Sequence, residues 1–134
     1  METVISKWIL CTLALLPAAA FGQVRIGGYA LRANSELVQN HRYSGRCPVN
    51  LKLDWGVIGA RPETITYYTE RSDGAKSPSR TLSLPGGNKS VPVVVEWKLG
   101  ANTPQFRDYR GWAELVIESP TRVSQRILFT LDCR

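Results

Sequence analysis

The chain alternates apolar and polar residues over much of its length, which is the pattern of β-strands that bury one face. A run rich in Thr and Tyr over 64–70 has the composition of a further strand, and Leu82 with Leu84 indicates a short one. Residues 23–134 show no long run with the helical period. The alternation therefore predicts an all-β domain. Its clearest segments are 49–55, 91–99, 113–117 and 127–133.

Turn-forming residues separate these segments at the spacing of a sandwich. Gly56 and Gly59 are predicted to end the first strand, and Ser119-Pro120-Thr121 predicts a hairpin between the last two. Pro92 cannot donate a backbone hydrogen bond, so its strand is predicted to lie at an edge or to carry a bulge. We predict one antiparallel β-sandwich of about seven strands. Residues 23–44 are predicted to form an edge strand or an arm.

The first 22 residues have the three parts of a signal peptide. A weakly positive start precedes an apolar run at 8–16, and small residues follow at 18–22. The run is shorter than the ~18 residues of a membrane span, so cleavage is favoured over anchoring. Cleavage after Ala20 or Gly22 fits, with Gly22 preferred. This predicts an exported domain of residues 23–134, in the periplasm or outside the cell, without stable membrane insertion.

Cys11 lies within the apolar run and is predicted to leave with it, so Cys47 and Cys133 remain. Two cysteines in an exported domain most often pair with each other. Each continues the inward phase of its strand, so we predict a disulfide that ties an early strand to the last one. Their spacing lacks the short C-x-x-C pattern of metal sites, and no metal or cofactor is predicted.

The formal net charge is +6, and removing the first 22 residues takes away one charge of each sign. A basic surface attracts anionic partners such as acidic glycan, lipopolysaccharide or an acidic protein, although a charge of this size also serves solubility. Nucleic acid is not an expected partner of an exported protein. The candidate polyanion-binding residues are Arg25, Arg32, Arg42 and Arg46.

Seven landmarks follow one another along the strands and turns: Cys47-Pro48-Val49, Thr64-Ile65-Thr66-Tyr67, Arg71-Ser72-Asp73-Gly74, Val95-Glu96-Trp97, Gly111-Trp112, Glu118-Ser119-Pro120 and Phe129-Thr130-Leu131-Asp132-Cys133. Together they resemble small secreted bacterial immunoglobulin-like domains, in which a Cys-Pro-Val opening and a terminal Cys bracket the domain. The resemblance covers residues 45–133 and implies an immunoglobulin-like sandwich, with no shared activity. The segment 23–44 has no counterpart in it.

The segment 105–112, predicted to be a loop at one end of the sandwich, combines aromatic and Arg side chains, the residue types that favour binding hot spots. The alternative is that Tyr109 and Trp112 cover the end of the sandwich. The candidate partner-binding residues are Phe106, Arg107, Tyr109, Arg110 and Trp112.

Catalytic motifs are absent from the sequence. His41 is the single histidine, and no G-x-S-x-G elbow accompanies it. A small hydrolase is therefore the least favoured hypothesis, and the chain is predicted not to be an enzyme. The leading hypothesis is an exported module that recognises a protein through a loop-rich end, including a periplasmic inhibitor or immunity-type protein. The alternative is a binder of acidic glycan or lipopolysaccharide.

Overall fold

The computed structural model describes residues 23–134, and the predicted signal peptide at 1–22 lies outside them. The described residues form nine strands and two short 3₁₀ turns, with no helix long enough to cross a membrane. The strands are β1 (Val24–Ala33), β2 (Glu36–Leu37), β3 (Arg42–Gly45), β4 (Val49–Gly59), β5 (Glu63–Arg71), β6 (Arg80–Leu84), β7 (Ser90–Leu99), β8 (Tyr109–Ser119) and β9 (Val123–Cys133).

Two sheets contain all of these strands, which confirms the predicted all-β class. The first sheet has the order β2-β1-β4-β7, and its neighbours are antiparallel. The second has the order β3-β9-β8-β5-β6, in which β3 runs parallel to β9 and the other pairs are antiparallel. β7 is an edge strand, as Pro92 predicts.

The core lies between the sheets and follows the predicted inward phases. On β4, Val49, Leu51, Leu53 and Trp55 are at most 1% exposed. The inward residues of β8 and β9 are also buried, with Ala113, Leu115, Ile117, Ile127, Phe129 and Leu131 among them. Trp55 Nε1 donates a hydrogen bond across the sandwich to Gln125 O at 3.0 Å. The fold thus buries one face of each sheet and joins them through a buried indole.

The predicted disulfide is present between Cys47 and Cys133, whose Cα atoms are 5.5 Å apart. It joins the segment before β4 to the end of β9. Gly100 packs against it with φ +98°, and a Cβ there would lie 2.8 Å from Cys133 Sγ. Only glycine combines this backbone conformation with so close an approach to the sulfur atoms.

Residues 24–45 form three strands. β1 pairs with β4 over nearly its full length, with a register shift between Ile26 and Gly28. β3 then pairs with β9, so the segment contributes to both sheets. Because the segment is divided between two sheets, its apolar and polar residues do not alternate with one period over 24–45.

The predicted strand end at Gly56 and the predicted loop through Trp112 are wrong, whereas the predicted end at Gly59 is right, and glycines explain both errors. β4 continues through Gly56 to Gly59, and β8 begins at Tyr109, so Tyr109–Trp112 are strand residues. A Cβ at Gly56 would collide with Ser90 Oγ, and one at Gly111 would lie 2.7 Å from the Phe129 ring. These glycines serve close packing within strands and do not mark turns.

The Arg71-Ser72-Asp73-Gly74 landmark is a hydrogen-bonded turn after β5. Arg71 donates to both carboxylate oxygens of Asp73, at 3.1 and 2.7 Å, and Ala75 N donates to Asp73 Oδ1 at 3.1 Å. The Arg71 guanidinium also lies 4.6 Å from the centroid of the Trp97 ring. The turn therefore connects a surface ion pair to the edge of the core.

Hydrogen bonding from Arg71 lowers the pKa of Asp73 below its ordinary value of 3.8. A lowered pKa in the folded state stabilises the fold above pH 3.8, and that stabilisation is lost as the pH falls through the folded-state pKa. We expect Asp73→Asn to melt below wild type at neutral pH, with the gap closing in acid. Thermal melts from neutral pH to about pH 2 measure this. A gap of constant size throughout would contradict the role of Asp73 ionisation.

Candidate functional site

The predicted partner-binding residues divide into two groups in the structure. The rings of Phe106 and Tyr109 lie 5.1 Å apart, and both are half-buried against the core. Tyr109 therefore packs against the core together with Phe106, whereas the alternative prediction paired Tyr109 with Trp112. Arg107 is exposed beside them in the loop before β8.

Arg110 and Trp112 lie on the outer face of the second sheet. Trp112 stands directly opposite Leu128 on β9. The guanidinium of Arg126 covers the Trp112 ring, 3.7 Å from its centroid. Leu128 is 60% exposed. An aromatic ring, a stacked cation and an exposed aliphatic side chain thus occupy neighbouring positions on two paired strands of one sheet.

His41 extends this cluster around the free edge of β9. Its Nδ1 donates to Leu128 O over 3.0 Å, since a carbonyl oxygen only accepts. The imidazole ring lies 5.6 Å from the Tyr29 ring. Leu37 lines the same surface depression as Tyr29 and His41. The imidazole therefore caps an unpaired strand edge and connects β1 to β9.

We call this surface the His41 patch, defined by Tyr29, Leu37, His41, Trp112 and Leu128. The structure describes four large apolar residues that are exposed, and three of them belong to the patch: Tyr29 at 46%, Leu37 at 62% and Leu128 at 60%. Single exposed apolar residues are ordinary on a protein surface. Here Tyr29 and Leu37 line one depression with His41, and His41 is bonded to the backbone oxygen of Leu128.

Cations border the patch on two sides. Arg110 and Arg42 face Thr130 from β8 and β3, next to the Trp112–Leu128 pair. Arg126 lies on the other side of that pair, 3.5 Å from Glu114. Arg42 has an exposed ion pair with Asp108 at 3.6 Å. The border is therefore rich in Arg, with acidic neighbours that leave it a net positive charge.

The four predicted polyanion-binding residues are not brought together. Arg25 lies opposite Ile58 and Arg32 opposite Lys52 on the first sheet, six positions or about 20 Å apart along β4. Arg42 is at the edge of the second sheet, and Arg46 lies in the turn between β3 and β4. No common basic surface arises from this set.

Four residues of the patch and its border were missed by the sequence reasoning: Tyr29, Leu37, Arg126 and Leu128. One signal was available. Leu128 is an apolar residue at an outward position of an alternating strand, where a polar residue is expected. The proximity of Tyr29 and Leu37 to β9 depends on the chain path through β2 and β3, which no local pattern predicts.

Within residues 23–134, no group of three or more His, Cys, Asp or Glu side chains lies close enough to hold a metal ion. No family model matches the chain, and no curated protein matches it either.

Proposed function

We propose that this protein is an exported binding module with an immunoglobulin-like sandwich, and that it contacts a protein partner through the His41 patch. The observation that carries the proposal is the concentration of exposed apolar residues around His41. Tyr29, Leu37 and Leu128 are exposed to water, and burial of apolar side chains is favourable. A partner surface that covers these three residues would therefore gain binding free energy.

The composition of the patch matches that of binding hot spots. Trp112 and Tyr29 offer large rigid rings, and Arg126 is already held against Trp112. Trp112 and Leu128 belong to strands β8 and β9, and Tyr29 belongs to β1, so binding would order little of their backbone, which favours affinity. The proposed contact surface includes the outer face of the second sheet, whereas the sequence indicated a loop-rich end.

The strand order supports the immunoglobulin-like assignment. Two sheets face each other, with β1, β4 and β7 in one and β9, β8, β5 and β6 in the other, as in sandwiches of that class. The disulfide departs from the antibody pattern, because it lies at the end of β9 and not within the middle of the sheets. Export is supported by the pattern of residues 1–22 and by the disulfide, which persists in oxidising compartments.

The charge around the patch indicates the chemistry of the partner. Arg42, Arg110 and Arg126 favour a protein that presents apolar side chains bordered by carboxylates. An acidic enzyme or toxin that this module inhibits fits that description. Binding of acidic glycan or lipopolysaccharide is less well supported, because the predicted Arg residues are dispersed.

Affinity capture from cells and culture supernatant tests the proposal. The bait is the oxidised protein of residues 23–134, compared with its Leu128→Asp variant. We expect one stoichiometric protein to be retained by wild type at high salt and to be reduced by about tenfold or more with Leu128→Asp, because a buried carboxylate would replace an apolar contact. Mass spectrometry of the eluates measures the retention.

The matched control is Ser83→Asp, which adds the same carboxylate at an exposed position of edge strand β6, outside the His41 patch. It should retain the partner at the wild-type level. Equal retention by all three baits would place the contact elsewhere. Loss of all bound material at moderate salt, with glycan or lipid in the eluate, would favour the charge-driven alternative.

A further inference from the structure

β7 forms an open edge of the first sheet. It pairs with β4 along its length on one side. On the other side, no backbone hydrogen bond to Ser90–Leu99 is present among the described residues. A ten-residue unpaired edge is a template for another strand.

The register shows which backbone groups of β7 are free. Asn34 N donates to Asn50 O at 2.9 Å, so Asn50 directs its backbone groups toward β1. The backbone N–H and C=O groups of successive residues point to opposite sides of an antiparallel strand. The residues of β4 that bond to β7 are therefore Val49, Leu51, Leu53, Trp55 and Val57. Their partners are Leu99, Trp97, Val95, Val93 and Val91. The groups that point outward therefore belong to Pro92, Val94, Glu96 and Lys98, a position that suits a proline without an N–H.

The space beside this edge is incompletely filled. Val91, Val95 and Leu99 are only half-buried, although they face the interior, whereas the inward residues of β4 are fully buried. A groove runs between β7 and the second sheet, lined by Val93 and Val95 on one side and by Tyr67, Thr69 and Arg80 on the other. A further strand placed there would direct every second side chain into the groove.

Arg80 gives the groove its charge. Its side chain is exposed and has no ion pair or hydrogen bond within residues 23–134. It stands opposite Tyr67 on the neighbouring strand, at the rim that faces Pro92 and Val93. An acidic side chain on an added strand would pair with it.

The geometry points to β7 as a site for strand addition by an extended peptide segment of a partner protein. The segment carries apolar residues at alternate positions, which enter the groove beside Val93 and Val95, and one acidic residue in the same phase, which reaches Arg80. Its backbone pairs with Val94, Glu96 and Lys98. This surface is separate from the His41 patch, because β7 is the edge of the first sheet opposite β2, and Tyr29 and Leu37 lie on β1 and β2.

Selection from a phage-displayed library of random twelve-residue peptides, against the oxidised protein of residues 23–134, tests this inference. We expect recovered peptides to alternate apolar residues with one Asp or Glu in phase. Amide exchange measured by NMR should be fast at Val94, Glu96 and Lys98 in the free protein and slow with the selected peptide. Val93, Val95 and Trp97 should be slow in both states, because they already pair with β4.

Two pairs of variants test the contact. Val94→Pro removes an outward N–H and should weaken the selected peptide by about tenfold or more, while Val94→Thr keeps the N–H and binds within about twofold. Pro92 already occupies the same phase, and a proline at 94 would remove no hydrogen bond to β4. Arg80→Glu should weaken binding similarly with no change in the backbone, and Arg80→Lys should retain it.

Three results would overturn the inference. The first is protection of the Val94, Glu96 and Lys98 amides in the free protein. The second is a selection that yields no alternating acidic peptides. The third is a set of peptides that bind Val94→Pro and Arg80→Glu as tightly as wild type. Peptides that slow amide exchange around the His41 patch and not in β7 would also overturn the inference, because they would not contact Val94 or Arg80.

Discussion

Replacing both Cys47 and Cys133 by Ala is expected to lower the free energy of unfolding by about 4–5 kcal/mol, the chain-entropy value for a loop of this size. The bond joins residues 86 apart in sequence, so it restricts most of residues 23–134 in the unfolded state. A domain of this size is stabilised by roughly 5–15 kcal/mol in total. Urea unfolding of the oxidised wild type and the double variant measures the difference.

Wild type in the presence of a reductant is the control, and it should unfold at the same urea concentration as the double variant. A loss below about 1 kcal/mol would contradict a dominant effect on the unfolded chain. A much larger loss with the variant than with reductant would indicate that the two sulfur atoms, packed against Gly100, also contribute to the core.

Trp55→Ala is expected to cost about 3–5 kcal/mol, the range for emptying a buried aromatic site. Trp55 is fully buried at the centre of β4, and its indole N–H reaches Gln125 O on the opposite sheet. Truncation leaves a cavity between the sheets and removes the hydrogen bond that joins them. Denaturant unfolding followed by circular dichroism measures the cost.

Trp55→Phe separates the two contributions. It keeps most of the ring and removes the donor, so it should cost about 1–3 kcal/mol, the penalty of an unpaired polar group. Equal costs for Phe and Ala would show that the hydrogen bond, and not the filled volume, holds the sheets together.

Much of the fold was predictable, because burial on one face enforces a period of two. The apolar–polar alternation identified the inward residues of Val49–Trp55 and Ile127–Cys133. Cys47 and Cys133 continue the inward positions of these strands, which predicted their disulfide. Pro92 predicted an edge strand or a bulge, because a proline has no N–H to donate to a neighbour, and β7 is an edge strand. These signals are local and depend on the chemistry of single residues.

The sequence predictions are wrong where the structure of a residue depends on a neighbour that is distant in sequence. Gly111 was interpreted as a loop residue, yet it lies in β8 because the Phe129 ring packs against its Cα. The shift near Gly27 changes the inward phase of β1 between Ile26 and Leu31 and hides its alternation. The parallel pairing of β3 with β9 joins Arg42 to Thr130, far along the chain, and no local pattern encodes it.

The candidate site was predictable only in part for the same reason. Arg110 and Trp112 were identified by residue type, and Arg42 was identified for its charge. His41 was noted as the single histidine, but its contact with Leu128 O depends on the fold. Tyr29 and Leu37 join the patch because β1 and β2 place them in one depression with His41. Surface recognition sites combine distant segments, so sequence patterns reveal their parts and not their assembly.

Photo-crosslinking in intact producing cells tests the central claim most directly. A photoreactive amino acid replaces Leu128 in one variant and Ser83, an exposed residue of edge strand β6, in another. If the His41 patch binds a protein partner, Leu128 gives one dominant crosslinked product and Ser83 gives none. Crosslinks from Ser83 with none from Leu128, or no protein product from Leu128 in cells or supernatant, would contradict the proposed function.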